Sequence, residues 1–199
     1  MIRSGVILAA LLWAGQAAAH DFERCEKPEI AAVLEALTAA EKIALRAAVS
    51  IGDTPEFALW FGAWSKENGA TVRSSFKAIH AAIRDNDLKV VCANVGEDDC
   101  NASMYANVFR HDAYAINLCP SFFGMPEIHA HSNTSAIMEN GTRAGTIIHE
   151  VSHFDVVAGT DDLCYTRTDC AAMALTRSLV RNADSYQYFA EDVAALPRD

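Results

Sequence analysis

HEVSHFDVVAGTDD, residues 149–162, sets two histidines four positions apart with a glutamate directly after the first, and closes on a glycine, a threonine and two aspartates. On a helix, four residues advance one full turn and about 40° more, so the imidazoles of His149 and His153 stand one above the other. Two neutral ring nitrogens in that arrangement can grip one metal ion. Glu150, one position round, can reach a water held on the same ion, which is the mechanical content of H-E-x-x-H. Ile147, Ile148, Val151 and Val157 supply apolar packing for the rest of this helix.

A catalytic zinc takes three protein ligands and keeps one position open for water. The pattern with a glycine three residues and a histidine six residues beyond the second histidine is excluded, because Val156 and Gly159 occupy those places. Glu191, on a later helix, could be proposed as a distant carboxylate ligand. Nearer, Gly159 suits the left-handed conformation that ends a helix, so the chain can turn back and point Asp162 at the metal. Asp161 would then face the other way. Asp155, two positions past His153, falls on another helical face as a solvated or capping residue.

Working outward, helical spacing of apolar residues covers 28–49, 72–84, 143–158 and 171–193, and Thr54 with Pro55 marks a further helix start. Trp60, Phe61 and Trp64 read as core, and His80, beside the Phe76–Ile79–Ile83 face, as structural. LKVVCANV (88–95), MYANVFR (104–110) and AYAINLCPSFF (113–123) are rich in β-branched and aromatic residues and read as a small antiparallel sheet. Helices on both sides of a short run of strands make an α+β domain.

The first 19 residues carry Arg3, an apolar run from Val6 to Trp13 and Ala17-Ala18-Ala19, the pattern of a secretory signal peptide. The run is too short for a bilayer span, which needs about 20 apolar residues. The expected organisation is therefore a signal at 1–19 and one domain at 20–199, secreted to an extracellular or periplasmic space, without a membrane anchor and without a large propeptide before Cys25. Six cysteines behind such a signal favour three disulfides. Closeness along the chain suggests Cys164–Cys170 and Cys100–Cys119, leaving Cys25–Cys92. The formal charge of −10, with no basic run, argues against nucleic acid as a partner. Protein or peptide substrates and a monomeric enzyme are expected.

HEVSH followed by GTDD and Tyr165 resembles the aspzincin metalloendopeptidases, the family of deuterolysin and peptidyl-Lys metalloendopeptidase, whose signature is HExxH with a later GTxDxxY. LWFGAW (59–64), INLCPSFF (116–123) and NADSYQYFAED (182–192) also look like segments of that family. The resemblance implies a mainly helical, zincin-like α+β fold with an HExxH active-site helix. It implies a Zn2+ cofactor held by His149, His153 and Asp162, with Glu150 as base and Tyr165 as hydrogen-bond donor to the oxyanion. In Lys-specific relatives a carboxylate in the segment matching NADSYQYF pairs with the substrate ammonium after the cut. Asp184 matches that position, and Gln187 stands where a second acidic residue often helps. Two departures are visible: Thr166 follows the tyrosine where the family often has glycine, and Cys164 lies inside the motif.

The implied reaction is peptide-bond hydrolysis by Glu150-assisted attack of a water on the metal, with Lys preferred at P1′. The alternative is a secreted, disulfide-bonded binding module or inactive relative whose zinc is structural. Such a site needs a fourth protein ligand, for which only His129 and His131 are spare.

Overall fold

The computed structural model describes residues 20–128 and 139–195; the expected signal at 1–19 and the spare histidines 129 and 131 lie outside them. The long first helix, α1 (Lys27–Ser50), begins at a reciprocal cap between Glu26 and Glu29, with Pro28 in its first turn. Val33, Ala36, Leu37, Ala40, Ile43, Ala44 and Ala47 are buried along it at spacings of three and four. Most are alanines, so other helices approach closely: α1 packs against α3 (Lys66–Asp85), α4 (Arg143–His153) and α6 (Ala183–Ala195). Between α1 and α3, the short α2 (Pro55–Phe61) starts at Thr54, whose hydroxyl accepts from Phe57 N.

An aromatic cluster fills the space that α2, α3 and α6 share. Phe57, Phe61, Phe76, Tyr186 and Phe189 are fully buried, with Phe76 5.0 Å from Tyr186 and Phe61 5.4 Å from Phe189 between ring centres. Full burial of one such side chain contributes roughly 1.5–3 kcal/mol. His80 is buried on α3, its Nε2 3.8 Å from Glu41.

The sheet corrects the antiparallel expectation. It has four strands in the order β1-β2-β4-β3: β1 (Asp21–Glu23), β2 (Lys89–Cys92), β3 (Ala106–Asn107) and β4 (Ala115–Leu118). β1 with β2 and β2 with β4 are parallel, and only β3 with β4 is antiparallel. The reason is connectivity. Helices α1 to α3 form the crossover that returns β2 beside β1 in the same direction, and β4 inserts between β2 and β3 after the chain reverses through β3. The sheet is therefore mixed, and β3 is an edge strand. A 3₁₀ turn, Pro120–Gly124, follows β4.

Two helix boundaries also differ from expectation. α4 stops at His153, not near Gly159, because Phe154 adopts an extended conformation (φ −56°, ψ 129°) and turns its buried ring toward Tyr114, 5.9 Å away. The helix expected over 171–193 is two, α5 (Arg167–Ala174) and α6, separated by a loop that ends at Asn182. Asn182 is fully buried, and its side-chain oxygen accepts from Leu163 N and Cys164 N rather than continuing a helix. The cysteines pair as closeness suggested: Cys25–Cys92, Cys100–Cys119 and Cys164–Cys170. No helix among the described residues is long and apolar enough to cross a membrane.

Candidate metal centre

α4 is fixed at its first turn before it presents anything. Thr142 caps it, its hydroxyl accepting from Gly145 N at 3.0 Å. The buried Glu191 of α6 accepts from both Thr142 N and Thr142 Oγ1 at 2.8 Å, an anion where the helix dipole favours one. The other Glu191 oxygen accepts from Arg167 Nη2 at 2.7 Å. Gly145 is required here, because a Cβ at that position would lie 2.0 Å from Glu191 Oε1. Both Glu191 oxygens are thus engaged at the start of α4, by Thr142 and Arg167, and neither is among the donor atoms that meet at the histidine pair.

His149 and His153 meet one turn apart with Nε2 to Nε2 at 3.1 Å. Asp162 Oδ1 lies 3.3 Å from each of those nitrogens. Zinc with ligands at about 2.0–2.1 Å in tetrahedral geometry separates its donor atoms by about 3.3 Å, so two imidazoles and one carboxylate fit that ion. His153 Nδ1 stands 3.0 Å from Thr160 O, which can only accept. The ring proton therefore sits on Nδ1, and Nε2 turns its lone pair into the site. Thr160 is itself buried, its hydroxyl 2.6 Å from Ser152 Oγ and its N–H donating to Ser152 O.

Glu150 is buried beside the pair, and His149, Glu150 and His153 offer donor atoms within 4.8 Å of one another. Burial pushes the Glu150 carboxyl up, against the two imidazoles, which pull it down. Burial would lower the His149 pKa, but the Asp162 and Asp184 carboxylates outweigh it and hold it well above the ordinary value. Asp162 is held far below the usual carboxylate range, since its two histidine partners overcome its partial burial. Three carboxylates around two imidazoles make a place that draws positive charge.

The remaining expected residues gather on one cleft of about 1080 Å³ whose opposite wall is residues 103–111. Tyr165 lines it, 60% exposed, with its hydroxyl pushed up to about 12 by burial and by Asp162. Asp184 and Gln187 line it from the first turns of α6, both buried. Asp184 Oδ1 is 3.7 Å from His149 Nδ1, and its buried Oδ2 has no hydrogen-bond partner among the described residues. Gln187 Nε2 donates to Asn140 O at 3.1 Å.

Asp161 and Asp155 stand outside the histidine pair. Asp161 accepts from Arg110 Nη1 and Arg181 Nη2, at 3.2 and 3.0 Å, and Asp155 from Arg110 Nε at 2.9 Å. Gly159 has φ +56°, the left-handed conformation expected of it, though inside the turn and six residues past the last residue of the helix. Sequence reasoning passed over Arg110 and Arg181, which carry no motif signal, while Thr160 and Asn182 lie inside the GTDD and NADSYQYFAED segments but were given no role at the site.

Comparison with known proteins gives the family. The aspzincin family model, described as lysine-specific metallo-endopeptidase, matches residues 46–191. An extracellular protease of Aeromonas hydrophila is 34% identical over 175 residues, covering 85% of this chain and 46% of the relative. A peptidyl-Lys metalloendopeptidase of Armillaria mellea is 31% identical over 144 residues, covering 70% of this chain and 36% of its own. The chain thus spans less than half the length of these two relatives. The solved zinc peptidase from Grifola frondosa superposes with a TM-score of 0.69 at 25% identity, over 84% of this chain and 97% of that one. A family match across most of the chain, together with these relatives, places the protein among its members: the chain belongs to the aspzincin family of metallo-endopeptidases.

Proposed function

We propose that the chain, as one domain from residue 20 onward, is a secreted Zn2+-dependent endopeptidase that prefers Lys immediately after the scissile bond. The observation that carries the reading is the set of three donor atoms, His149 Nε2, His153 Nε2 and Asp162 Oδ1, 3.1–3.3 Å apart beside a buried glutamate in a substrate-sized cleft. A zinc ion held there supplies Lewis acidity toward a peptide carbonyl and brings the pKa of a water to about 7. Glu150 takes the proton of the attacking water and delivers it to the leaving amine; its burial, which raises its proton affinity, suits both steps. Tyr165 keeps its proton at neutral pH and donates a hydrogen bond to the developing oxyanion.

Asp184 supports the Lys preference. Its unpartnered buried oxygen would be left unpaired by an apolar side chain and satisfied by an ammonium. Gln187 adds a neutral amide to the same wall, so the preference is less strict than with two carboxylates. The name of the relatives from Armillaria and Pleurotus, peptidyl-Lys metalloendopeptidase, points the same way. Secretion is supported by the leader-like residues 1–19, by three disulfides and by the extracellular relative.

The test is casein hydrolysis with metal analysis. A chelator abolishes cleavage and added zinc restores it; full activity in metal-free protein would refute the reading. It would then give way to the binding-module alternative.

A further inference from the structure

The turn from Phe154 to Asp162 contains no regular element after α4 ends, yet it must deliver one carboxylate to within 3.3 Å of two histidine nitrogens. Two adjacent aspartates compete for that place. The Asp161 backbone is fixed by a bridge to Asn182, its N–H donating to Arg181 O at 2.7 Å and its carbonyl accepting from Ala183 N at 3.1 Å, and its side chain is held by a clamp from the segment between β3 and β4. Arg110, in the connection between β3 and β4, donates from Nε to Asp155 Oδ1 at 2.9 Å and from Nη1 to Asp161 Oδ1 at 3.2 Å. Its Nη2 donates to Gly159 O at 3.0 Å and to Thr160 O at 3.4 Å, and its own carbonyl accepts from Asp155 N at 3.1 Å. One residue therefore holds both ends of the turn. Arg181 completes the outer side, donating to Asp161 Oδ2 and Gly159 O.

We propose that Arg110 is a positioning residue for the metal centre: by pinning Asp161 outward and the 159–160 carbonyls in place, it aims Asp162 and the His153 ring at the ion. Because neighbouring side chains in an extended stretch point to opposite sides, fixing Asp161 outward turns Asp162 inward. Thr160 O, one of the atoms Arg110 holds, is also the acceptor for His153 Nδ1. Only a planar guanidinium offers enough donors in one fork to bridge four acceptors; a lysine ammonium cannot span them. The ion pairs are well exposed, with side-chain exposures of 38% and 41% for Arg110–Asp155 and 38% and 39% for Arg110–Asp161, so they contribute little to global stability. Their effect is local order at the ligand, and Arg110 belongs to the cleft wall that faces a substrate.

This inference rests on the zinc reading above, and zinc affinity separates the two. Full-length protein is stripped of metal and titrated with zinc against a chromophoric chelator, alongside thermal unfolding of the metal-free form. Arg110→Ala is expected to weaken zinc binding by about tenfold to a hundredfold, the range for outer partners of metal ligands, with the metal-free melting temperature almost unchanged. In an Asp162→Ala background the same substitution should cost at most about threefold, the part that acts through Thr160 O on the His153 ring, because the principal ligand being aimed is gone. Arg110→Lys, which keeps the charge but not the fork, should lose most of the same affinity, and it decides the matter if Arg110→Ala does not fold. Equal zinc affinity in wild type and the Arg110 variants overturns the positioning role, as does an equal loss with and without Asp162. Absence of zinc binding in the wild type, or no effect of Asp162→Ala alone, overturns the zinc reading and this inference with it.

Discussion

The aromatic cluster between α2, α3 and α6 and the turn that carries Asp162, which meets the chain just before α6 at Asn182, are held by different forces. In the cluster, Phe61, Phe76, Tyr186 and Phe189 touch through rings alone and are fully buried. In the turn, no large side chain is buried after Phe154. The turn is held instead by hydrogen bonds, from its own N–H groups to Phe154, Ser152 and Arg181 carbonyls and from the side chains of Arg110 and Arg181, with much of it open to solvent. Burial is non-directional and tolerates small shifts, whereas a ligand must be aimed within a fraction of an ångström. The fold thus places its apolar area where rigidity in bulk is wanted and its directional bonds where one atom must point one way. α6 serves both, with Tyr186 and Phe189 in the cluster and Asp184 and Gln187 on the cleft.

That division is tested most severely by Phe76→Ala. Removing a fully buried ring costs roughly 3–5 kcal/mol of stability. If the two regions are energetically separate, zinc affinity of the folded variant stays near that of the wild type. Chemical denaturation and a zinc titration together decide it; a large loss of zinc affinity would show that the core also aims the ligands.

Glu150→Gln probes the other side. The substitution keeps size and hydrogen bonding but removes the carboxylate proposed as base, so turnover should fall at least about 100-fold, close to 2.7 kcal/mol in barrier, while zinc stays bound. Loss of zinc in this variant would make Glu150 a ligand instead.

The same contrast explains what could be read from the chain. The histidine pair, Gly159 and Asp162 lie within 14 consecutive residues, and the helical period alone brings His149 over His153. The alanine stripe of α1 and the Phe76–Ile79–Ile83 face of α3 follow that period too. The three disulfides were legible because two join cysteines close in sequence, 6 and 19 apart, which leaves one choice for the third. Strand direction was not, since it depends on where β4 inserts and not on the composition of any strand. Nor were the contacts that aim the site: Arg110 reaches Asp155 across 45 residues, Glu191 reaches Thr142 across 49, and Asn182 reaches Leu163 across 19. None of these pairs leaves a periodic trace, because each is a single polar contact between elements brought together only by the folded core. Phe154 illustrates the opposite failure: its apolar character fits the helical period, yet packing draws it out of α4.

Asp184→Asn tests whether the cleft side of α6 carries selectivity apart from the core side. Replacing the carboxylate leaves the α6 packing intact and removes the charge that would meet a substrate ammonium. Cleavage before Lys should fall by about tenfold relative to cleavage before uncharged residues, roughly 1.4 kcal/mol. Mass-spectrometric mapping of cuts in a denatured protein mixture measures it. An unchanged pattern would remove Asp184 from the pocket and leave it only its proximity to His149, 3.7 Å away.

The smallest expected effect lies where the directional region carries its own strain. Thr166 follows Tyr165 and has φ 65° and ψ 154°, a conformation open to glycine and costly to a side-chain-bearing residue by roughly 1–3 kcal/mol. The resemblance to the aspzincin motif, which often has glycine here, now has a physical reason. Threonine is not without use at this position, because its hydroxyl accepts from Asp169 N at 3.3 Å and caps α5. Replacing a cap by glycine costs only a few tenths of a kcal/mol, and the added freedom of the unfolded chain costs roughly 0.4–1 kcal/mol. Relief of strain outweighs both, so Thr166→Gly should stabilise the protein by about 0.5–1 kcal/mol, a rise of about 2 °C in melting temperature. Tyr165 stays in the Cys164–Cys170 loop, so activity should change less than twofold, on the order of 0.4 kcal/mol. A fall in melting temperature would show that the Thr166 hydroxyl contributes more to the start of α5 than its backbone costs; unchanged stability with a large loss of turnover would show instead that the strained residue sets the position of Tyr165.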